Sequence, residues 1–152
     1  MELEGLIGEE GIMPFLQAGS KKHVLQEMSA RAAQLAGLKE RDVFETVMER
    51  EKLGSTSVGN GIAIPHGKLP GLSGVVGVLA RLAKPVAFEA GEDEPVDLVF
   101  LLLAPAGSGA DHLKALSRVA RLLRSRPTVE ALRRSPDAAT MLFHIQNPAP
   151  TA

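Results

Sequence analysis

Apolar residues follow two rhythms along this 152-residue chain. From Ser20 to Leu53 they recur every three to four positions, the spacing of one buried helix face. Val24, Leu25, Met28, Ala32 and Leu35 form the first such stripe, with Ser20 placed to cap its start and Gly37 its end. Val43, Phe44 and Val47 form the second. That helix is expected to begin near Asp42, with Glu45 three residues on as in a capping box, and to stop near Leu53-Gly54. The rhythm then changes. Val75 to Leu82 and Val96 to Leu103 are apolar at odd and even positions alike, the pattern of central strands covered on both faces. Gly61 to Ile64 predicts a shorter strand, and Val86 to Phe88 a short edge strand followed by the charged turn GEDEP. Pro14 limits Ile12 to Leu16 to an edge position at most.

Helical spacing returns in the C-terminal third. Ser108 and Asp111 mark a start, and Leu113, Leu116, Val119, Ala120 and Leu123 are expected to form the inner stripe. A short helix is predicted over Thr128 to Arg134. Ser135-Pro136 opens a last one with Ala138, Met141, Leu142 and Ile145 inside. Helices before and after an apolar sheet predict an α/β (α+β) fold, a three-layer α/β/α sandwich. One domain over residues 1–146 is expected, followed by a disordered tail, NPAPTA, at 147–152.

Composition narrows the function. Seventeen basic against eighteen acidic residues, with no basic block, make nucleic acid and anionic membranes poor partners. With neither Trp nor Tyr, platforms for stacking single-stranded bases are scarce. The lack of cysteine removes disulfide scaffolds, thiolate metal sites and cysteine nucleophiles, and fits a reducing compartment. The acidic N-terminus MELEGLIGEEGI has neither part of a secretion signal, and the run from Leu98 to Ala106 is too short to cross a bilayer. A soluble, cytoplasmic protein without membrane insertion is expected.

The stretch GSTSVGNGIAIPHGKLPG carries the chemistry. It is no phosphate loop: Walker A spacing needs glycine at Ile62 and a hydroxyl at Leu69, and a dinucleotide fingerprint needs glycine at Ile64. The four histidines show no metal-ligand spacing, so neither metal nor cofactor is expected, and His23 and His144 read as surface residues. His66 differs. Pro65 fixes φ before it and Gly67 leaves room beside the ring, so an imidazole stands where a strand meets a glycine-rich loop. Imidazole is a nucleophile at neutral pH without a helper base. His112 falls in the first turn of its helix, where an anion is favoured, and Arg50 in the last turn of another beside the loop. Histidine, arginine and a helix start suit phosphoryl transfer to nitrogen, provided they converge. The bland readings are a turn histidine at 66, an arginine pairing with helix-end carbonyls at 50 and a dipole partner at 112. Ser55, Thr56 and Ser57 can offer hydroxyls to the same group, though such residues more often satisfy their own loop.

Three segments, REKLGSTSVGNGIAIPHGKLPGL, KPVAFEAGEDEPVDLVFLLLAP and DHLKALSRVARLL, together resemble the fructose/mannitol-type enzyme IIA of the bacterial phosphotransferase system. The subtype most resembled is the stand-alone nitrogen-regulatory one. The resemblance spans about Ser20 to Leu142 and implies a mixed sheet between helical layers. It implies that His66 accepts a phosphoryl group from a histidine-phosphorylated HPr-type carrier, with His112 and Arg50 in support. The chain would act as a phosphoryl acceptor and donor more than as a stand-alone catalyst, regulating partner proteins (nitrogen/potassium-type regulation) through its phosphorylation state. A sugar-uptake enzyme IIA serving a separate permease subunit would look the same at this level. An apolar rim of Ile64, Leu69, Pro70 and Leu72 is expected to receive partners around His66.

Overall fold

The computed structural model describes residues 6–88, 94–107 and 109–149. A six-stranded sheet runs through it: β1 (Ile12–Leu16), β2 (Ser57–Gly59), β3 (Ile62–Ala63), β4 (His66–Leu69), β5 (Val76–Val86) and β6 (Val96–Pro105). The order is β1-β5-β6-β3-β2, with β4 paired to β6 further along from β3. β5 and β6, and β2 and β3, are antiparallel; β1 joins β5, and β3 and β4 join β6, in parallel. The sheet is therefore mixed.

Helices α1 (Lys21–Ala36) and α2 (Glu40–Lys52) cover one face; α3 (Gly109–Leu122), α4 (Arg126–Arg134) and α5 (Ala138–Gln146) cover the other. Strand alternation divides the two cores. Val78, Ala80, Val99, Leu101 and Leu103 pack with Val24, Leu25, Met28, Val43 and Val47. Leu79, Leu98, Phe100 and Leu102 pack with Val119, Leu132, Met141 and Ile145. Each side chain on β6 thus reports which layer its position faces.

Caps set several boundaries as the sequence predicts. Ser20 Oγ accepts the His23 N–H at 3.1 Å, and Gly37 ends α1 at φ 71°, in the left-handed region. Other expectations are corrected. α2 begins at Glu40 rather than near Asp42, and its first turn has no side-chain cap. Leu35 is 40% exposed, and α1 buries Ala33 instead. On α3 the inner positions are His112, Ala115, Val119 and Leu122, while Leu113 is exposed; one polar residue inside the stripe shifted its apparent phase. Asp137, not Ser135, caps α5, accepting the Thr140 N–H at 2.8 Å. α4 starts two residues early, at Arg126, behind the Ser125 cap.

No separate strand covers 86–88: β5 continues across an irregularity to Val86, which pairs with Val96. Ser108, most of the GEDEP turn and 150–152 lie outside the described residues. The described part of the expected tail is tied down, since Ala149 N–H donates to Thr128 Oγ1 at 2.9 Å. β1 sits at the sheet edge as Pro14 requires, and the Pro14 carbonyl accepts Arg81 Nε at 2.9 Å. Arg81 also donates to the Leu132 and Arg133 carbonyls, so one guanidinium joins β1, β5 and the end of α4.

Candidate functional site

His66 is the first residue of a strand, not the tip of a loop. The segment from Gly54 to Gly71 contains β2, β3 and β4, and a break at Ile64-Pro65 separates β3 from β4. Proline suits that break because it has no N–H to offer, while its carbonyl accepts the Leu102 N–H at 2.9 Å. Past it, His66 pairs with Leu102, whose side chain lies in the α3–α5 core. Paired residues of neighbouring strands project to the same face. His66 therefore points towards α3, where His112 stands in the first turn. The two ring centroids are 5.5 Å apart and tilted by 52°. Gly67 is needed behind them: a Cβ there would fall 2.8 Å from the Thr46 methyl on α2.

The environment fixes the tautomer of His66. Its Nδ1 lies 2.9 Å from the Ile64 carbonyl oxygen. A carbonyl only accepts, so Nδ1 carries the proton, and the lone pair of the neutral ring resides on Nε2. His112 is buried, at 7% exposure. Burial, and then repulsion from His66 in its protonated form and from Lys68, push its pKa below the ordinary histidine value, which favours the neutral form beside the half-buried His66. His112 Nδ1 is buried without a hydrogen-bond partner among the described residues.

Lys68 is the residue that sequence reasoning missed. Two positions after His66 on β4, it shares the same face of the strand. The signal is simple alternation, but it is readable only once HGKL is known to be a strand. A cation, a nucleophilic imidazole and a neutral buried imidazole thus share one small region.

The other expected residues are placed differently. Arg50 lies in the last turn of α2, and its Nη1 donates to the Gly54 carbonyl at 3.1 Å, the helix-end contact of its bland reading. No described contact joins it to either histidine. Ser55 Oγ accepts the Ser57 N–H at 3.1 Å, within its own loop. Thr56 is buried, its hydroxyl and N–H both donating to Glu51. Glu51 pairs with Lys21 at 2.8 Å, so Lys21, Glu51 and Thr56 fasten the loop to the ends of two helices. Ser57 opens β2. The expected rim is also revised. Ile64 and Leu69 are buried core residues, whereas Leu113, beside His112, is 67% exposed. Among the described residues no group of three potential ligands could hold a metal, and no helix is long and apolar enough to cross a membrane.

Residues 6–147 match the family model described as phosphoenolpyruvate-dependent sugar phosphotransferase system, EIIA 2. The chain belongs to this EIIA family. A nitrogen regulatory protein from Bradyrhizobium diazoefficiens is 53% identical to this EIIA chain over 152 residues, spanning 100% of it and 99% of the relative. The solved structure of nitrogen regulatory protein IIA-Ntr from Neisseria meningitidis is 33% identical, with a TM-score of 0.88 over 94% of this chain and 98% of that one. A fructose-specific EIIA component of the phosphotransferase system from Haloferax volcanii is 34% identical over 114 residues, 74% of each chain. The phosphotransferase system and a likeness to nitrogen-regulatory relatives are thereby established for this EIIA chain. Its mixed α/β/α sandwich is the family's fold.

Proposed function

We propose that this chain is a phosphohistidine carrier: His66 Nε2 accepts a phosphoryl group from a histidine-phosphorylated HPr-type carrier, and the phosphorylation state regulates partner proteins. The observation that supports this reading most directly is the bond from His66 Nδ1 to the Ile64 carbonyl. It orients the ring and fixes the free lone pair on the nitrogen away from the backbone. In the transfer, Nε2 forms a bond to phosphorus as the donor's N–P bond breaks, and the donor's imidazole leaves with the electron pair. His66 becomes a phosphorylated ring whose Nδ1–H still donates to the Ile64 carbonyl, which offsets the positive character developing in the ring.

His112 and Lys68 supply the surroundings. Once the group carries its charge of about −1.5 to −2, it favours protonation of the adjacent ring. Lys68 gives a permanent positive charge on the same strand face. Arg50 takes part by releasing the Gly54 carbonyl and turning its guanidinium to two phosphoryl oxygens. His66 is half-buried rather than enclosed, which suits a donor carried on another protein.

Regulation is favoured over sugar uptake by the nitrogen-regulatory relative, which matches this chain along its whole length. The fructose-specific relative supports the second reading, in which the phosphoryl group moves on to a separate fructose/mannitol-type permease subunit. Intact-mass analysis after incubation with a phosphorylated carrier tests the first step: one phosphoryl group is expected on the wild type and none on His66→Ala. Adding a permease-type acceptor subunit then separates the readings. Rapid loss of the group to that subunit identifies the uptake role, and retention supports the regulatory one.

A further inference from the structure

A cleft of about 330 Å³ lies where β3 begins, ahead of the segment that carries His66. Ile62, Leu123 and Val129, all buried, give it an apolar floor. Its walls are charged: Arg124, Arg126 and Arg133 against Glu94 and Glu130. Arg133 is already satisfied. Its guanidinium holds the Asp97 carboxylate through Nη2 at 2.8 Å and Nε at 3.0 Å, and donates to the Asn60 carbonyl. The lock depends on Gly61, where a Cβ would fall 2.8 Å from Arg133 Nη2. The cleft therefore has a fixed back wall. Arg124, Arg126, Glu94 and Glu130 have no ion-pair partner among the described residues.

Two unpaired cations and two unpaired anions around one concave apolar floor restrict what can bind. A polyanion would meet the two glutamates, and a simple cation would meet the arginines. A molecule with one charge of each sign and an apolar body satisfies both. The volume lies at the lower limit of small-molecule sites, about 300 Å³, so the ligand is small. We propose that this cleft binds a free α-amino acid, with its carboxylate on Arg124 and Arg126, its ammonium on Glu130 and its side chain on Ile62, Leu123 and Val129.

The position is of interest because of what the wall connects to. Asn60 adopts φ 56°, and the Gly61 carbonyl accepts the N–H groups of Asp97 and Leu98 at 2.9 and 3.1 Å. Three residues further on, the Ile64 carbonyl orients His66. Occupancy of the cleft thus bears on the same short segment that holds the reactive ring.

Calorimetric titration of the full chain with the common L-amino acids tests the proposal. The N-acetyl and amide derivatives of any binder, with succinate and inorganic phosphate, serve as controls. At least one free amino acid is expected to bind with Kd below about 1 mM. Acetylation and amidation should each weaken it roughly tenfold or more, by removing one of two charge-assisted contacts. The double variant R124Q/R126Q should lose binding, and Glu130→Gln should lose the discrimination against the N-acetyl form. These side chains are exposed, and thermal melting confirms that the variants fold. The proposal is overturned by absence of binding to any amino acid, by succinate or phosphate binding equally well, or by unchanged affinity in R124Q/R126Q.

Discussion

His112 is a buried histidine held neutral, and its titration gives the first prediction. Its folded-state pKa lies below the ordinary value of about 6.5, so on acidification the unfolded chain takes up the proton first. The His112 contribution to stability is complete above about pH 6.5 and is lost as pH falls towards the folded-state pKa. His112→Asn should flatten this acid limb, read as a smaller drop in Tm between neutral and mildly acidic buffer. Lys68→Met removes one of the cations that depress His112, and an upward shift of its ring resonances' titration midpoint would show that. Unmoved resonances would count against the shared site. At the proposed reaction, His112→Ala and Arg50→Ala should each slow phosphoryl acceptance by on the order of a hundred- to a thousand-fold, the usual effect of losing one placed charge-stabilising group. Arg50→Lys should recover only part of that in stopped-flow transfer assays, because an ammonium lacks the two-pronged grip.

The elements show why part of the design was readable and part was not. Ser20 and Gly37 bracket α1 as their chemistry dictates, because caps are local: a hydroxyl and a positive φ need no tertiary partner. Ser20→Ala should cost about 1 kcal/mol by denaturant melting. β4 was not readable. HGKL has no apolar alternation, and it is a strand only because β6 offers Leu102 to Pro105 as a parallel ladder. The inner stripe of α3 was misread for a related reason, since the buried position is occupied by a histidine. Glu51 was invisible as well: it looks like any charge near a helix end, yet its side chain is 2% exposed and holds Lys21 and the Thr56 backbone. Glu51→Ala leaves the Thr56 N–H and hydroxyl unpaired and should cost about 2 kcal/mol, discounted because Lys21 can rehydrate. Limited proteolysis should then cut first between Gly54 and Gly61.

For the molecule as a whole, β6 is the shared wall of two cores, and the continuous apolar runs of β5 and β6 announced this from the sequence. The two-layer cover, the order of the helices and the central position of these strands all followed from that pattern. Strand order did not, because antiparallel β5–β6 and parallel β3–β6 and β4–β6 pairings leave no mark on composition. Phe100 shows how tightly the second core is fitted. It is fully buried, and its ring lies where a Cβ at Gly77 would approach to 2.9 Å. Phe100→Ala should destabilise by about 3–5 kcal/mol, measured by urea unfolding. Gly77→Ala should also destabilise, through crowding rather than a void.

The bond that ties one ring nitrogen of His66 to the Ile64 carbonyl has an analytical consequence. Phosphohistidine exists as two regioisomers, substituted at N1 (Nδ1) or N3 (Nε2), and they differ in spectra and in the reagents that detect them. With Nδ1 held by the backbone, the proposed phosphorylation of His66 should give the N3 isomer alone. An isomer-selective antibody against the N3 form should stain the modified chain, and its N1-selective counterpart should remain blank. Staining by the N1 reagent would mean that the ring had turned over and released the carbonyl before the group arrived.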